Sequence, residues 1–385
     1  MKHIFSIAAI AFLLYIFTFY VDGEMGMILI TSMLAAPLLS LVLTLYGRKR
    51  IKVSFDCEAY VKKNAELLIK VRVEKEGRIP LPFVEIVPFV SAGFKPVDKI
   101  YRLSLVREDL AEFTIPVTAE IGGNAYASIK QVYSCGFLGF IRFKTKLELP
   151  QPKSIGIIPE IPEIKASSML FRSIADTVMT SENDEENDTA LLFSANTAVG
   201  YEHREYTNGD PLKRINWKLS SKKQKLMVRL DEAASSVQPL IVLDLYRNSA
   251  VSERDSMLRE EKLLRAVFGL VILLIKQGIA CSIMYRSYNG EIVTESIDNP
   301  DYPAQLLLKV LAVKPDTDSH IAVQISDSFC SCILASTDLS GEFSGVVSEL
   351  PDKENACAVV PGIECGTASG IAVWYLDDDN NFKLV

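Results

Sequence analysis

Two uncharged apolar runs within the first fifty residues constrain this chain more than any other feature. They extend from Ile4 to Tyr20 and from Met27 to Tyr46, separated by the short polar turn Val21-Asp22-Gly23-Glu24-Met25-Gly26. Crossing about 30 Å of hydrocarbon takes a helix of roughly 20 apolar residues. The spacing therefore predicts a transmembrane helical hairpin over 1–50, with spans at about 4–20 and 27–46. Lys2 precedes the first run, Arg48, Lys49, Arg50 and Lys52 follow the second, and the turn between carries only Asp22 and Glu24. Flanking cations mark the cytoplasmic side, so the reading is a multi-pass protein of the cell membrane with the bulk of the chain cytoplasmic. The competing reading is a cleaved signal peptide, but no small-x-small site follows Tyr20. Even after cleavage the second run would stop transfer and leave the body on the same side. Leu263 to Ile275 is also very apolar, yet it is short and carries Arg265, and it reads as a buried core helix.

The totals agree with a membrane-attached folded body. Mean hydropathy is +0.20 although 23% of residues are charged, and 385 residues suffice for two or three domains with proper cores. A net charge of -7 argues against a dedicated nucleic-acid binder, and no nucleic-acid partner is expected. Cys57, Cys135, Cys281, Cys330, Cys332, Cys357 and Cys365 form an odd set without framework spacing, which reads as reduced, buried thiols. The spacings among the last four are not those of a zinc knuckle.

From Ile51 to Leu149 the apolar period is two. Leu67, Ile69, Val71 and Val73 alternate with Leu68, Lys70, Arg72 and Glu74, and Ile141 to Leu149 repeats the pattern. Glycines and prolines punctuate the runs, so an antiparallel β-sandwich-like domain of roughly seven strands is expected over 51–150. The stretch 151–198 reads as a linker, with Ser181 to Asp188 as a solvated acidic loop.

The densest motif lies between Gly200 and Asp231. Eight cations stand between Tyr201 and Leu230 against three acids, Glu202, Glu205 and Asp210, a local charge of +5 in a chain of -7. Asn208-Gly209 makes a turn, Asp210 is placed to cap a helix and Pro211 suits its first position, so a short helix to about Ser220 is predicted. A strand over Lys225 to Leu230 follows. Lys222, Lys223, Lys225 and Arg229 form a basic patch.

These residues resemble the signature of the bacterial family called domain of unknown function 58. The match runs through Arg204-Glu205-Tyr206, Gly209-Asp210, Arg214-Ile215, Asn216-Trp217-Lys218 and a closing Leu226 to Arg229. The segment Tyr133 to Phe140 and the strand Ile157-Ile158-Pro159 are similar to further family features. Departures are Asn216, where the family often has Asp or His, and Leu219-Ser220-Ser221. The resemblance implies two N-terminal membrane spans, a von Willebrand factor type A-like domain, and a MoxR-type AAA+ ATPase or a transglutaminase-like membrane protein as partner.

Beyond the motif, strands and helices alternate, beginning with the apolar run Leu240 to Asp244 and the helical stretch Glu253 to Gln277. The fold class expected is therefore α+β multidomain. It combines two transmembrane helices, the antiparallel sandwich-like domain, and a doubly wound α/β, von Willebrand factor A-like domain after the motif within 199–385. Type A domains often hold Mg²⁺ with Asp-x-Ser-x-Ser at a strand end. Here the strand ends Asp244-Leu245-Tyr246-Arg247-Asn248. The serines are missing and Arg247 brings positive charge, so Asp244 and Asp338 are degenerate metal candidates and no cofactor is expected.

Common catalytic templates are absent from the sequence, and only His3, His203 and His320 supply imidazoles. Glu205 and Asp210 are expected to pair with Arg204 and Arg214 and to cap a helix, with Trp217 in the core. The expected function is non-enzymatic: a membrane-anchored adaptor or scaffold for an ATPase system or cell-envelope assembly. A hydrolase using Glu205 and Asp210, or a module binding anionic lipid, is the alternative.

Overall fold

The structure, a computed structural model, describes residues 2–77, 81–137, 139, 141–145, 149–185, 198–205, 217–232, 238–315, 317, 319–321, 329–339, 343, 347, 353, 355–365 and 370–385. The chain divides into two compact units, Met1–Glu160 with Ser252–Leu258, and Ile161–Val251 with Arg259–Val385.

The first unit opens with α1 (Lys2–Tyr20) and α2 (Gly23–Gly47). Asp22 caps α2 by accepting hydrogen bonds from the amides of Glu24 and Met25 at 3.0 and 3.1 Å, satisfying donors that a helix start leaves open. At 25 residues α2 is about 37 Å long. Its most apolar window has a mean hydropathy of 2.3 and is only 11% buried, so it is not the core helix of a soluble domain. It is an N-terminal helix long and apolar enough to cross a membrane, a measure that a signal sequence also meets.

Nine strands follow: β1 (Ile51–Asp56), β2 (Tyr60–Lys62), β3 (Glu66–Lys75), β4 (Leu81–Val90), β5 (Tyr101–Leu105), β6 (Leu110–Thr118), β7 (Gly123–Cys135), β8 (Arg142–Lys144) and β9 (Lys153–Ile158). They make a sheet β1-β3-β6 and a second sheet β2-β9-β7-β4-β5, with β8 on β7. The alternation read in Glu66–Lys75 is realised, with Leu67, Ile69, Val71 and Val73 buried. These side chains share one core with Val84, Ile86, Ala125, Ile155 and Ile157 of the other sheet. Each such aliphatic burial contributes about 1.5–3 kcal/mol. The pairing is not wholly antiparallel, because β2 runs parallel to β9.

The second unit holds α3 (Met169–Glu185), β10 (Ala198–Glu205), α4 (Trp217–Lys223), β11 (Met227–Glu232), β12 (Gln238–Asp244), α5 (Glu253–Lys276, whose first turns group with the first unit), β13 (Cys281–Arg286), β14 (Ile292–Ile297), α6 (Tyr302–Ala312), β15 (Phe329–Ser336), β16 (Ala356–Val360), β17 (Ala372–Leu376) and β18 (Phe382–Leu384). The stretch read as a linker thus contains β9 and α3. Leu170, Phe171, Ile174 and Val178 of α3 are buried at helical spacing, which explains why this segment is ordered. β10 and β11 form an antiparallel pair, and the other strands form the sheet β14-β13-β12-β15-β16-β17-β18.

The fold class expected from the sequence is corrected on two counts. Among the described residues one helix, α2, is long and apolar enough to span a membrane. Two transmembrane helices, and with them a multi-pass arrangement, are not supported. The doubly wound expectation also fails, because strands dominate. Among the described residues there are eighteen strands against six α-helices. The large sheet carries antiparallel strands at both edges, β14 on β13 and β18 on β17, joined by hairpin turns where helical crossovers were expected.

Candidate functional site

β12 is buried along nearly its whole length, as a strand covered on both faces must be. Its neighbours β13 and β15 both run parallel to it, and from β12 the sheet grows one way through β13 and the other way through β15. Loops leaving the strand ends diverge at such a point and expose the C-terminal edge. The register sets Asp244, the last residue of β12, opposite Ser336, the last of β15.

A polar cluster is built on that pair. Asp244 Oδ2 lies 2.6 Å from His320 Nδ1 and accepts a hydrogen bond from Ser336 Oγ at 2.9 Å, while Oδ1 accepts the Ile321 amide at 3.3 Å. With the carboxylate as acceptor, Nδ1 carries the imidazole proton. The Tyr246 ring lies 4.2 Å from the imidazole and Phe343 meets it edge-on at 5.6 Å. Asp338 Oδ2 accepts Asn248 Nδ2 at 3.0 Å. The Tyr246 amide donates to Thr337 Oγ1 at 3.1 Å, and that hydroxyl donates to the Tyr246 carbonyl. The side chains of Asp244 and His320 are 4% and 8% exposed, so the network is sealed from water.

A carboxylate that orients an imidazole is half of an acid-base device. The other half is placed differently here. Ser336 is fully buried and directs its hydroxyl to Asp244, so serine and histidine converge on the carboxylate and not on each other. The cavity beside them, lined by Leu243, Asp244, Tyr285, Arg286, Val310 and Ile321, measures about 20 Å³. That is room for about one water, against some 300–1,000 Å³ for a small-molecule site. A shallow, open depression of about 480 Å³ lies on the same unit, lined in part by Arg286, Ser287, Tyr288, Gly290, Lys314 and Pro315.

The structure brings the two metal candidates, Asp244 and Asp338, to one strand edge, but their carboxylates take His320, Ser336, the Ile321 amide and Asn248 as partners. Among the described residues no group of three or more His, Cys, Asp or Glu is arranged to hold a metal ion. Arg247 does not place free charge there. It forms a bidentate pair with Glu260, with Nη2 to Oε2 at 2.9 Å and Nε to Oε1 also bonded. His320, Ser336 and Glu260 escaped the sequence reading. Ser336-Thr337-Asp338, a polar triplet directly after an apolar strand, was a usable signal, whereas nothing near His320 distinguishes it.

Of the motif residues, Arg204 and Glu205 lie on β10, paired in register with Val228 and Met227, and Arg229 of β11 faces His203. Trp217 opens α4. Lys218, Lys222, Lys223 and Lys225 are exposed. Ser220 Oγ accepts the Met227 amide at 2.9 Å, tying α4 to β11. Tyr206, Gly209, Asp210 and Arg214 lie outside the described residues, and with them the expected cap and the expected pairing of Glu205 and Asp210 with Arg204 and Arg214.

No known family pattern matches the chain, and no curated protein matches it. Among solved structures, the chain is similar over 29% of its length to a cohesin module of a Clostridium perfringens family 33 glycoside hydrolase, covering 99% of that module at 14% identity with a TM-score of 0.24. A CARDB domain from Pyrococcus furiosus, in complex with di-metal ions, is 94% covered by 29% of this chain at 16% identity and a TM-score of 0.22. A β-glucosidase from Listeria innocua is 16% covered by 29% of this chain at 6% identity and a TM-score of 0.20. At these scores the likenesses carry no argument about function.

Proposed function

We propose that this chain is a non-enzymatic, membrane-anchored adaptor whose body faces the cytoplasm and presents cationic surfaces of its second unit to an acidic protein partner. The supporting observation is the contrast within that unit. The polar cluster at the β12 and β15 ends is closed and satisfied by its own hydrogen bonds, whereas Lys218, Lys222, Lys223 and Lys225 are exposed. Arg286, Tyr288 and Lys314 line an open depression as well. Arginine and tyrosine are the residue types that carry much of the energy of protein interfaces.

Orientation follows from Arg48, Lys49, Arg50 and Lys52 directly after α2. The resemblance to the domain of unknown function 58 family adds the partner class, a MoxR-type AAA+ ATPase or a transglutaminase-like membrane protein. The test is capture of such an ATPase from detergent extracts by the full chain and by a Lys222→Glu, Lys223→Glu, Lys225→Glu variant. Capture should fall sharply in the variant, and in the parent chain as salt is raised. Equal capture by both chains would refute the proposal for this surface.

A further inference from the structure

One face of the last two turns of α2 is buried although the rest of the helix is largely exposed. Ser40, Thr44 and Gly47 are covered by the first unit itself, Gly47 by Leu81 of β4 and the other two by the connection between β7 and β8. Ser40 Oγ accepts the Phe137 amide at 3.0 Å. Gly136 sits so close that a Cβ there would come within 2.6 Å of Ser40 Oγ and 3.2 Å of Thr44 Oγ1, so only glycine permits this approach.

The connection reads Gly136-Phe137-Leu138-Gly139-Phe140-Ile141, with no charge between Cys135 and Arg142. Phe137 is 42% exposed beside the helix. The Gly136 amide donates to the Ile141 carbonyl at 2.9 Å and the Gly139 amide to the Gly136 carbonyl at 3.0 Å. Gly139 adopts φ +72°, closing the turn. With the Phe137 amide held by Ser40, three amides here have partners within the protein, which lowers the cost of seating them at membrane depth.

Depth follows from helix geometry. Ser40 lies seven residues before Gly47, the end of α2, hence about 10 Å along the axis. Allowing for a helix somewhat longer than the hydrocarbon is thick, the turn sits roughly 5–10 Å inside the apolar boundary. Cations flank it at the level of the headgroups. Arg48 lies over the Phe143 ring at 5.6 Å, and Arg142 lies over Tyr133 at 3.7 Å while pairing with Glu85 at 2.9 Å.

We infer that Phe137 is a membrane wedge, inserted among the lipid acyl chains of the leaflet next to the body, so that the first unit is seated in the bilayer and not merely tethered to it. This rests on α2 spanning a membrane, as the proposed function requires.

The test uses the full chain in vesicles of a zwitterionic lipid mixed with an anionic one, with an environment-sensitive fluorophore on Phe137→Cys. Two controls are Leu34→Cys, on an exposed position within α2, and Leu68→Cys, on an exposed position of β3. Labelling of the parent chain gives the background from native thiols. The expected result is a blue-shifted emission at 137 that is lost when acyl chains are brominated near the headgroup, a similar loss at 34 when they are brominated toward their ends, and neither change at 68. If 34 is quenched and 137 behaves like 68, the wedge is refuted while the span stands. A blue shift at 137 without quenching means that protein covers Phe137, which also overturns the wedge. If neither 34 nor 137 is quenched, the span itself fails and the wedge with it.

Discussion

Replacing Asp244 by alanine tests whether the cluster at the β12 end holds the second unit together or waits for a ligand. Three donors converge on its carboxylate: His320 Nδ1, Ser336 Oγ and the Ile321 amide. Ser336 has a second acceptor in the Asp338 carbonyl at 3.0 Å, so the substitution takes the acceptor from His320 Nδ1 and from the Ile321 amide. A buried donor without a partner costs about 1–3 kcal/mol, and breaking a buried charged pair about 3–5 kcal/mol. With Asp244 only 3% exposed, solvent offers little relief. The expected loss is therefore about 3–4 kcal/mol for Asp244→Ala, about half that for Asp244→Asn, which keeps one acceptor, and about 1 kcal/mol for Ser336→Ala. Urea unfolding of the full chain in detergent measures it, read by Trp374, a buried tryptophan on β17, in a Trp217→Phe background. A loss below about 1 kcal/mol for Asp244→Ala, or a gain, would refute the reasoning. A gain marks a carboxylate kept against stability, which is the signature of a functional site.

Acid should weaken the second unit through Glu295. Burial acts to raise the Glu295 pKa, but hydrogen bonds from Tyr302, Lys309 and Tyr285 outweigh it and hold the carboxyl below its ordinary 4.5. A depressed folded pKa gives stability that is present above the unfolded value and lost as pH falls through the folded one. Stability should thus fall on acidification below about pH 4.5, and Glu295→Gln should flatten that fall, as denaturation at stepped pH would show. Burial pushes the Cys281 and Cys332 thiols up to about 12, so neither should react with a thiol-selective disulfide reagent at neutral pH until urea unfolds the unit. Rapid native labelling at either position would contradict that.

How much of this was legible depended on whether the signal was local. The alternation in Glu66–Lys75 and the apolar run into Asp244 are local patterns, and both elements stand where they were read. The edge strands Ile292–Ile297 and Phe382–Leu384 are short or half exposed, and their pattern is too weak to separate from loop. The pairing of Asp244 with His320, separated by 76 residues, depends on where the sheet brings two loops together, which no spacing announces.

The same dependence on tertiary placement bears on function. A hydrolytic site must keep a base, a nucleophile and space for substrate in an arrangement that the fold alone does not satisfy. At the β12 edge, the serine and the histidine share one carboxylate, and the adjoining cavity admits about one water. The bidentate hold of Glu260 on Arg247 then removes the one cation that adjoins this edge in sequence. Among the described residues of the unit, Lys218, Lys222, Lys223 and Lys225 are exposed and Arg286, Tyr288 and Lys314 line a shallow depression, side chains of the kind that meet another macromolecule. If the cluster is structural, Asp244→Asn should lower stability and leave ATPase capture at temperatures below unfolding unchanged. Loss of capture at full folding would instead make the cluster part of the recognition surface.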